Sequence, residues 1–306
     1  MTWVSDYKYA WYEKLAMNVI RSGGHLPDHI AFVMDGNRRY ATMAGIPKID
    51  GHTRGFEKLA ECLRWCLDMG VKEVTTFAFS IENFKRSKDE VDDLLCLARE
   101  KFTKLLQERA KLHDYGVRVR IIGNLSLLPE DLQFLMAEVM METQKNNKLF
   151  LNVAFAYTSR DEITQAIETV ITQEDHVLEE SDINEHLLEQ CLYTRFSTPP
   201  DLLVRTSGES RISDFLMWQL KYTILYFIKV FWPEITLWNF LAGIFSYQRA
   251  SVRLEPFKRR QNTAEYAIIT KTNSLELDRV QAFLKHLDMC KTEFLIKLRD
   301  KYLKPV

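Results

Sequence analysis

At 306 residues, 46% hydrophobic and 12% aromatic, the chain is long enough for one large domain or two small ones with a sizeable core. A formal net charge of −1 excludes the global basic field that carries non-specific nucleic-acid binding, so each basic cluster is judged by itself. Five cysteines (Cys62, Cys66, Cys96, Cys191, Cys290) show no metal-type spacing and suit a reducing compartment; no secretory leader opens the chain and no run of about 18 apolar residues could span a bilayer.

Residues 1–26 place Trp3, Tyr7, Trp11, Leu15 and Val19 at helical spacing, which predicts an amphipathic helix. It either packs on the body or makes a peripheral membrane contact through its aromatics. Ile30 to Met34 is a short apolar run, the pattern of a strand buried on both faces. It stops at Asp35-Gly36-Asn37, and Arg38 and Arg39 follow at once. Asp-Gly-Asn by itself reads as a turn. An acid, a permissive glycine and two guanidinium forks beyond a buried strand would also suit a metal-bound polyanion.

Thr53 to Met69 reads as a helix stopped by Gly70, Glu73 to Ser80 as a strand, and Ser87 to His113 as one long helix with a serine cap and early acids. Val117 to Gly123 is a third strand, and Pro129 opens a helix running to about Lys145. Phe150 to Thr158 is a fourth strand, followed by helices near 160–172 and 181–191. Leu202 to Arg205 is a fifth strand and Ile224 to Phe231 a sixth. This alternation predicts an α/β fold with a mainly parallel central sheet of about six strands flanked by helices. The apolar stretch Phe215 to Tyr247 reads as core plus a subunit contact. Residues 251–272 lose all pattern and read as a linker, and Asn273 with Glu276 starts a further helix in capping-box style. That helix carries Val280, Phe283, Leu284, Leu287, Phe294, Leu295 and Leu298, and must pack on the body or a partner. The chain thus divides at 1–26, 27–250 and 251–306.

In a parallel sheet the loops after the strands open on one rim, so Asp35, Arg38, Arg39, Arg86, Arg205 and Arg211 should meet around one cleft. Five arginines against few acids describe a pocket for two phosphorylated groups. Ser213, expected to begin a helix, would add an anion site there. The chain has neither G-x-x-x-x-G-K-[ST] nor G-x-G-x-x-G, which removes the P-loop and the dinucleotide fingerprint. Asp35 alone is a thin cage for Mg²⁺, but Mg²⁺ commonly takes substrate phosphates as ligands. His52 is either an ordinary loop histidine or touches phosphate or water.

Four runs in order, HIAFVMDGNRRY (His29 to Tyr40) with Gly51-His52, FSIENFKR (Phe79 to Arg86), RTSGESRIS (Arg205 to Ser213) and FWPE (Phe231 to Glu234), resemble the cis-prenyltransferase family of undecaprenyl and dehydrodolichyl diphosphate synthases, nearest its eukaryotic dehydrodolichyl diphosphate synthase branch. The resemblance implies that Asp35 holds Mg²⁺ on an allylic diphosphate cradled by Gly36, Asn37, Arg38 and Arg39. It implies that Arg205, Arg211 and Ser213 bind isopentenyl diphosphate, with Arg39 and Arg86 shared between the two sites. Asn83, Ser80 and His52 would order the reacting groups. The implied reaction is repeated cis addition of isopentenyl diphosphate to farnesyl diphosphate, giving long-chain dehydrodolichyl diphosphate for dolichol and protein glycosylation. A diphosphate oxygen oriented by Asn83 is the expected proton acceptor. The helix face Leu94, Leu97, Ala98, Phe102 and Leu105 would either wall a product tunnel or be ordinary core.

Three departures from the family pattern matter. The R-x-G motif of the homodimeric bacterial enzymes is missing, the region reading Tyr247-Gln248-Arg249-Ala250-Ser251; Ile224 replaces a glutamate, and Lys48 a frequent arginine. These losses resemble the catalytic subunit of a heteromer whose membrane-anchored, Nogo-B-receptor-type partner supplies R-x-G in trans, peripheral on the cytosolic face of the endoplasmic reticulum membrane. The rival reading is a non-catalytic scaffold subunit of the same complex, but such subunits lose the Asp-Gly-Asn-Arg-Arg cluster that this chain keeps. An RNA-binding role finds no basic-aromatic stripe.

Overall fold

The computed structural model describes residues 7–172, 178–269 and 274–303. The elements in order are α1 (Trp11–Ser22), β1 (His29–Val33), α2 (Asn37–Met43), α3 (Lys48–Met69), β2 (Glu73–Ser80), α4 (Lys88–Gln107), α5 (Arg109–Tyr115), β3 (Val117–Ile122), α6 (Glu130–Glu142), β4 (Leu149–Tyr157), α7 (Ser159–Ile171), α8 (Glu185–Cys191), β5 (Leu202–Arg205), β6 (Ile224–Phe227), α9 (Leu237–Ile269) and α10 (Ser274–Leu303). Six strands form one sheet in the order β3-β4-β2-β1-β5-β6, and every pairing is parallel. The α/β expectation holds. All five residues of β1 are buried, as a central strand covered on both faces requires.

This topology decides where ligands can sit. The chain passes from β1 to β2 on one side and later places β5 on the other side of β1. Loops leaving β1 and β5 therefore diverge at the carboxyl rim and leave a crevice, the switch point of an open α/β sheet. Val33 pairs with Arg205, so the last residues of both strands arrive at that crevice side by side.

Several elements differ from the sequence reading. α3 begins at Lys48, five residues before Thr53. Gly51 and Gly55 weaken the helical signal there, yet both are needed for packing on α2. A Cβ at Gly51 would lie 2.4 Å from the Asn37 carbonyl oxygen, and one at Gly55 2.3 Å from Asn37 Oδ1. The single long helix from Ser87 is two, breaking at Glu108, and the Ser87 side chain makes no capping bond although Asp89 and Glu90 do fill the first turn. No helix begins at Ser213. Ser213, Asp214 and Leu216 all have positive φ, so the segment is an irregular loop before a short 3-10 turn at Gln219–Tyr222. The sixth strand ends at Phe227.

The stretch expected as a linker is helical as far as Ile269, and α9 runs straight through position 250. Val252 and Phe257 are exposed, so these two apolar residues mark no buried face. Residues 270–272, and the expected cap Asn273, lie outside the described residues. α10 packs on the body: Val280, Phe283, Leu284 and Leu287 join Ala166, Val170, Leu187 and Cys191 in a separate apolar cluster. Arg279 clasps Asp182 through two hydrogen bonds of 2.8 Å.

Trp3 lies outside the described residues, and Tyr7 precedes α1 rather than belonging to it. α1 seats Met17 and Glu13 on the body and turns Trp11, Leu15 and Val19 outward, 76%, 56% and 61% exposed. Its apolar stripe is therefore not what packs. Phe215 to Tyr247 contributes core (Phe215, Trp232, Phe240, Ile244) and also the outward Met217, Leu225, Trp238 and Phe245. No helix among the described residues is long and apolar enough to cross a membrane.

Candidate active site at the switch point

Asp35 stands just beyond β1. Its backbone is fixed first: the Thr206 hydroxyl accepts from Asp35 N at 3.1 Å and donates to the Asp35 carbonyl at 2.7 Å, and Trp232 N donates to the same carbonyl at 3.0 Å. Gly36 follows with φ +102° and caps α2. Any Cβ there would meet Phe231 at 2.8 Å and Ser207 at 3.0 Å, so glycine is required on both conformational and steric grounds.

The Asp35 carboxylate is the centre of the cluster. Oδ2 accepts from Arg205 Nη2 at 2.8 Å, while Oδ1 accepts from Gly36 N at 2.7 Å and from Arg39 Nη2 at 3.5 Å. Arg205, its side chain only 3% exposed, also donates through Nη1 to Ser213 Oγ at 2.8 Å and to the Arg211 carbonyl. Its Nε is buried without a partner. Ser213 thus serves the site as a hydroxyl on Arg205, not as a helix cap.

Two carboxylates that the sequence reading passed over organise the remaining arginines. Glu209 accepts from Arg39 at 3.1 Å and from Arg211. Glu90 accepts from Arg86 at 2.8 Å and from Arg38 at 3.3 Å, with Lys48 Nζ 3.9 Å away. Glu90 sits four residues after Arg86, a helical pairing that the spacing alone could have revealed. Arg39 additionally donates to Ser207 Oγ and lies over the Phe231 ring. Five arginines therefore face three carboxylates, leaving an excess of positive charge on a crevice rim.

His52 is half-buried beside the Glu90 group, and its buried Nε2 has no partner among the described residues. Burial, reinforced by Arg86 and Arg38 and opposed by Glu90, pulls its pKa down to about 4, so it is neutral at physiological pH. A cavity of about 200 Å³ opens next to it, lined by Lys48, His52, Glu90 and Leu94 among others. Asn37 donates to the Met34 carbonyl at 3.3 Å, and its buried Oδ1 has no partner. Ser80 and Asn83 form a capping box with each other: Asn83 Oδ1 accepts from Ser80 N at 3.0 Å, and Ser80 Oγ accepts from Glu82 N at 3.2 Å. The Asn83 carbonyl then accepts from Arg86 N at 3.1 Å, so this turn aims Arg86. Ala98, Phe102 and Leu105 of α4 lie in the main core.

Among the described residues no three His, Cys, Asp or Glu side chains gather as a metal cage. Asp35, a single hard oxygen donor beside arginines suited to phosphate, has the chemistry to hold Mg²⁺ that arrives on substrate phosphates.

A family profile described as "Putative undecaprenyl diphosphate synthase" matches residues 33–255. A human dehydrodolichyl diphosphate synthase complex subunit is 44% identical, over 97% of this chain and 98% of its own length. A Pyrococcus furiosus enzyme named tritrans,polycis-undecaprenyl-diphosphate synthase (geranylgeranyl-diphosphate specific) is 40% identical, over 80% of this chain and 92% of its own. The crystal structure of lavandulyl diphosphate synthase from Lavandula x intermedia in complex with dimethylallyl diphosphate superposes with a TM-score of 0.69 at 31% identity, covering 73% of this chain and 95% of that one.

Proposed function

Since the chain belongs to the undecaprenyl diphosphate synthase family of cis-prenyltransferases, we propose that it is the catalytic subunit of a heteromeric enzyme extending farnesyl diphosphate with isopentenyl diphosphate to long-chain dehydrodolichyl diphosphate. One observation carries the reading: a single carboxylate, Asp35, lies between two arginine groups, Arg38 with Arg86 on Glu90, and Arg39 with Arg211 on Glu209. Two anion sites flanking one metal-binding acid are what a reaction between two diphosphates requires, and a scaffold subunit has no use for them.

Each residue then has a task. Arg38 and Arg86 exchange Glu90 for the allylic diphosphate. Arg205, fixed by Asp35 and Ser213, presents the Arg211 loop to isopentenyl diphosphate. When bound at Asp35, Mg²⁺ neutralises charge developing on the departing pyrophosphate. The arginines add preorganised stabilisation of that charge without reorganising in the transition state. Neutral His52 can offer or accept a hydrogen bond without adding charge to the rim. The Asn83 carboxamide nitrogen, without a hydrogen-bond partner among the described residues while its oxygen holds the turn, orients the diphosphate oxygen that takes the proton from the isopentenyl chain.

A partner subunit supplying R-x-G in trans belongs to this reading. The corresponding region here lies inside α9, where Gln248 donates to the Ile20 carbonyl at 2.8 Å instead of reaching an active site. Outward Leu225, Trp238 and Phe245 suit that subunit's interface, and Trp11, Leu15 and Val19 suit peripheral attachment at the cytosolic face of the endoplasmic reticulum membrane.

The test is incorporation of labelled isopentenyl diphosphate with Mg²⁺ onto farnesyl and, in parallel, geranylgeranyl diphosphate, with the chain alone and with a Nogo-B-receptor-type subunit. Long product dependent on the partner and abolished by Asp35→Ala is expected. No product under either condition would favour the scaffold role, and strong activity alone would remove the need for R-x-G in trans.

A further inference from the structure

β3 is an edge strand, and α10 does not seal it completely. Between β3, α6, the segment after α8 and the second half of α10 lies a cavity of about 660 Å³, within the range of small-molecule sites. It contains none of the residues of the Asp35 cluster. Its walls divide by chemistry. Among the described residues, Arg118, Arg120, Arg195 and Lys291 are the lining cations, and Asp288, already paired with Arg195, is the one lining acid. Met140, Ile121, Phe294 and Leu295 supply apolar surface.

The polar wall is unfinished. Arg195 has a side chain only 4% exposed, yet its buried Nε has no partner. Arg120, held by Glu73 through Nη1 at 3.1 Å, likewise leaves a buried Nε unpaired. Arg118 and Lys291 make no hydrogen bond or ion pair among the described residues. Buried donors left without acceptors destabilise the fold unless something fills them. Phe294, 44% exposed on α10, meanwhile gives the cavity an apolar flank near its mouth.

We propose that this cavity is a second binding site, distinct from the Asp35 crevice, for an amphipathic anion: a phosphate or carboxylate head against Arg195 and Lys291, with an apolar body against Met140 and Leu295. The head answers the unpaired Arg195 Nε and the Lys291 ammonium, and the body replaces water on the apolar wall. Because Asp288, Lys291 and Leu295 all come from α10, occupancy would also pin that helix to the edge of the sheet.

Isothermal titration of the full chain with dodecyl phosphate and with laurate, each below its micelle concentration, tests this and separates the two head groups; dodecylamine serves as the cationic control. One-to-one binding of at least one anion is expected, weakened about tenfold or more by Lys291→Gln, restored by Lys291→Arg, and unchanged by Arg38→Ala, which disables the other crevice. Leu295→Trp, which fills the apolar end, should weaken the chain-bearing anions and leave the far-ultraviolet circular dichroism unaltered. Absence of binding, equal binding of dodecylamine, indifference to both Lys291→Gln and Leu295→Trp, or loss of binding in Arg38→Ala would each overturn the proposal.

Discussion

Replacing Arg205 with lysine keeps the charge and removes the fork. Arg205 reaches in two directions at once: Nη2 to Asp35 at 2.8 Å, Nη1 to Ser213 at 2.8 Å and to the Arg211 carbonyl. A single ammonium at a 97%-buried position cannot span both. Arg205→Lys should keep the pairing with Asp35 and abandon the 211–213 loop, losing both Nη1 hydrogen bonds and leaving their acceptors unsatisfied, about 1.5–3 kcal/mol for each. The loop that carries Arg211 would then drift from the crevice. The expected kinetic result is a KM for isopentenyl diphosphate raised roughly ten- to a hundredfold, with the KM for the allylic substrate nearly unchanged because the Arg38–Glu90–Arg86 group does not touch Arg205. Urea unfolding measures the first effect, and initial rates with each diphosphate varied in turn, partner subunit present, measure the second. Stability within about 0.5 kcal/mol of the parent together with an unchanged isopentenyl KM would show that only charge matters at position 205, and the fork argument would be refuted.

Gly36→Ala should cost about 1–3 kcal/mol in stability, from positive φ and contact with Phe231, and a thermal melt would register it. Glu90→Gln releases Arg38 and Arg86 from their carboxylate, so the KM for the allylic diphosphate should fall, read from initial rates. His52 has a folded pKa near 4 against an ordinary 6.5, so the folded state binds fewer protons between those values. Its contribution is therefore complete above about pH 6.5 and declines as pH falls towards 4, by at most about 3 kcal/mol. The urea midpoint of His52→Gln should lose less than the parent across that window; the difference between the two removes the contribution of His29, whose pKa burial also lowers. Chelation of Mg²⁺ should abolish incorporation while leaving circular dichroism unchanged.

Much of this protein is legible in the chain. Buried strands announce themselves because a centre strand covered on both faces must be apolar along its whole length, as His29–Val33 nearly is. Strand–helix alternation then implies a parallel sheet, and a parallel sheet implies one rim, which is enough to place Asp35, Arg38, Arg39, Arg86, Arg205 and Arg211 together before any coordinate is known. The family motifs sharpen this to a chemistry.

Other features have no local signature. Glu90 and Glu209 stand near Arg86 and Arg211 in sequence, but they reach Arg38 and Arg39 only because α4 and the loop after β5 bring them together across 52 and 170 residues. Gly51 and Gly55 read as helix breakers, whereas the close approach of α2 makes them necessary inside a helix. Ser213 looked like a helix start because capping chemistry is local, while its actual partner, Arg205, is reached only because the loop after β5 folds back through positive-φ residues. α9 beyond 250 gains no period from Val252 and Phe257, which are exposed and mark no buried face. Sequence determines the period, the burial and the kinds of charge. Tertiary structure alone decides which distant charges neutralise one another, since an ion pair between segments depends on a distance that no spacing along the chain encodes.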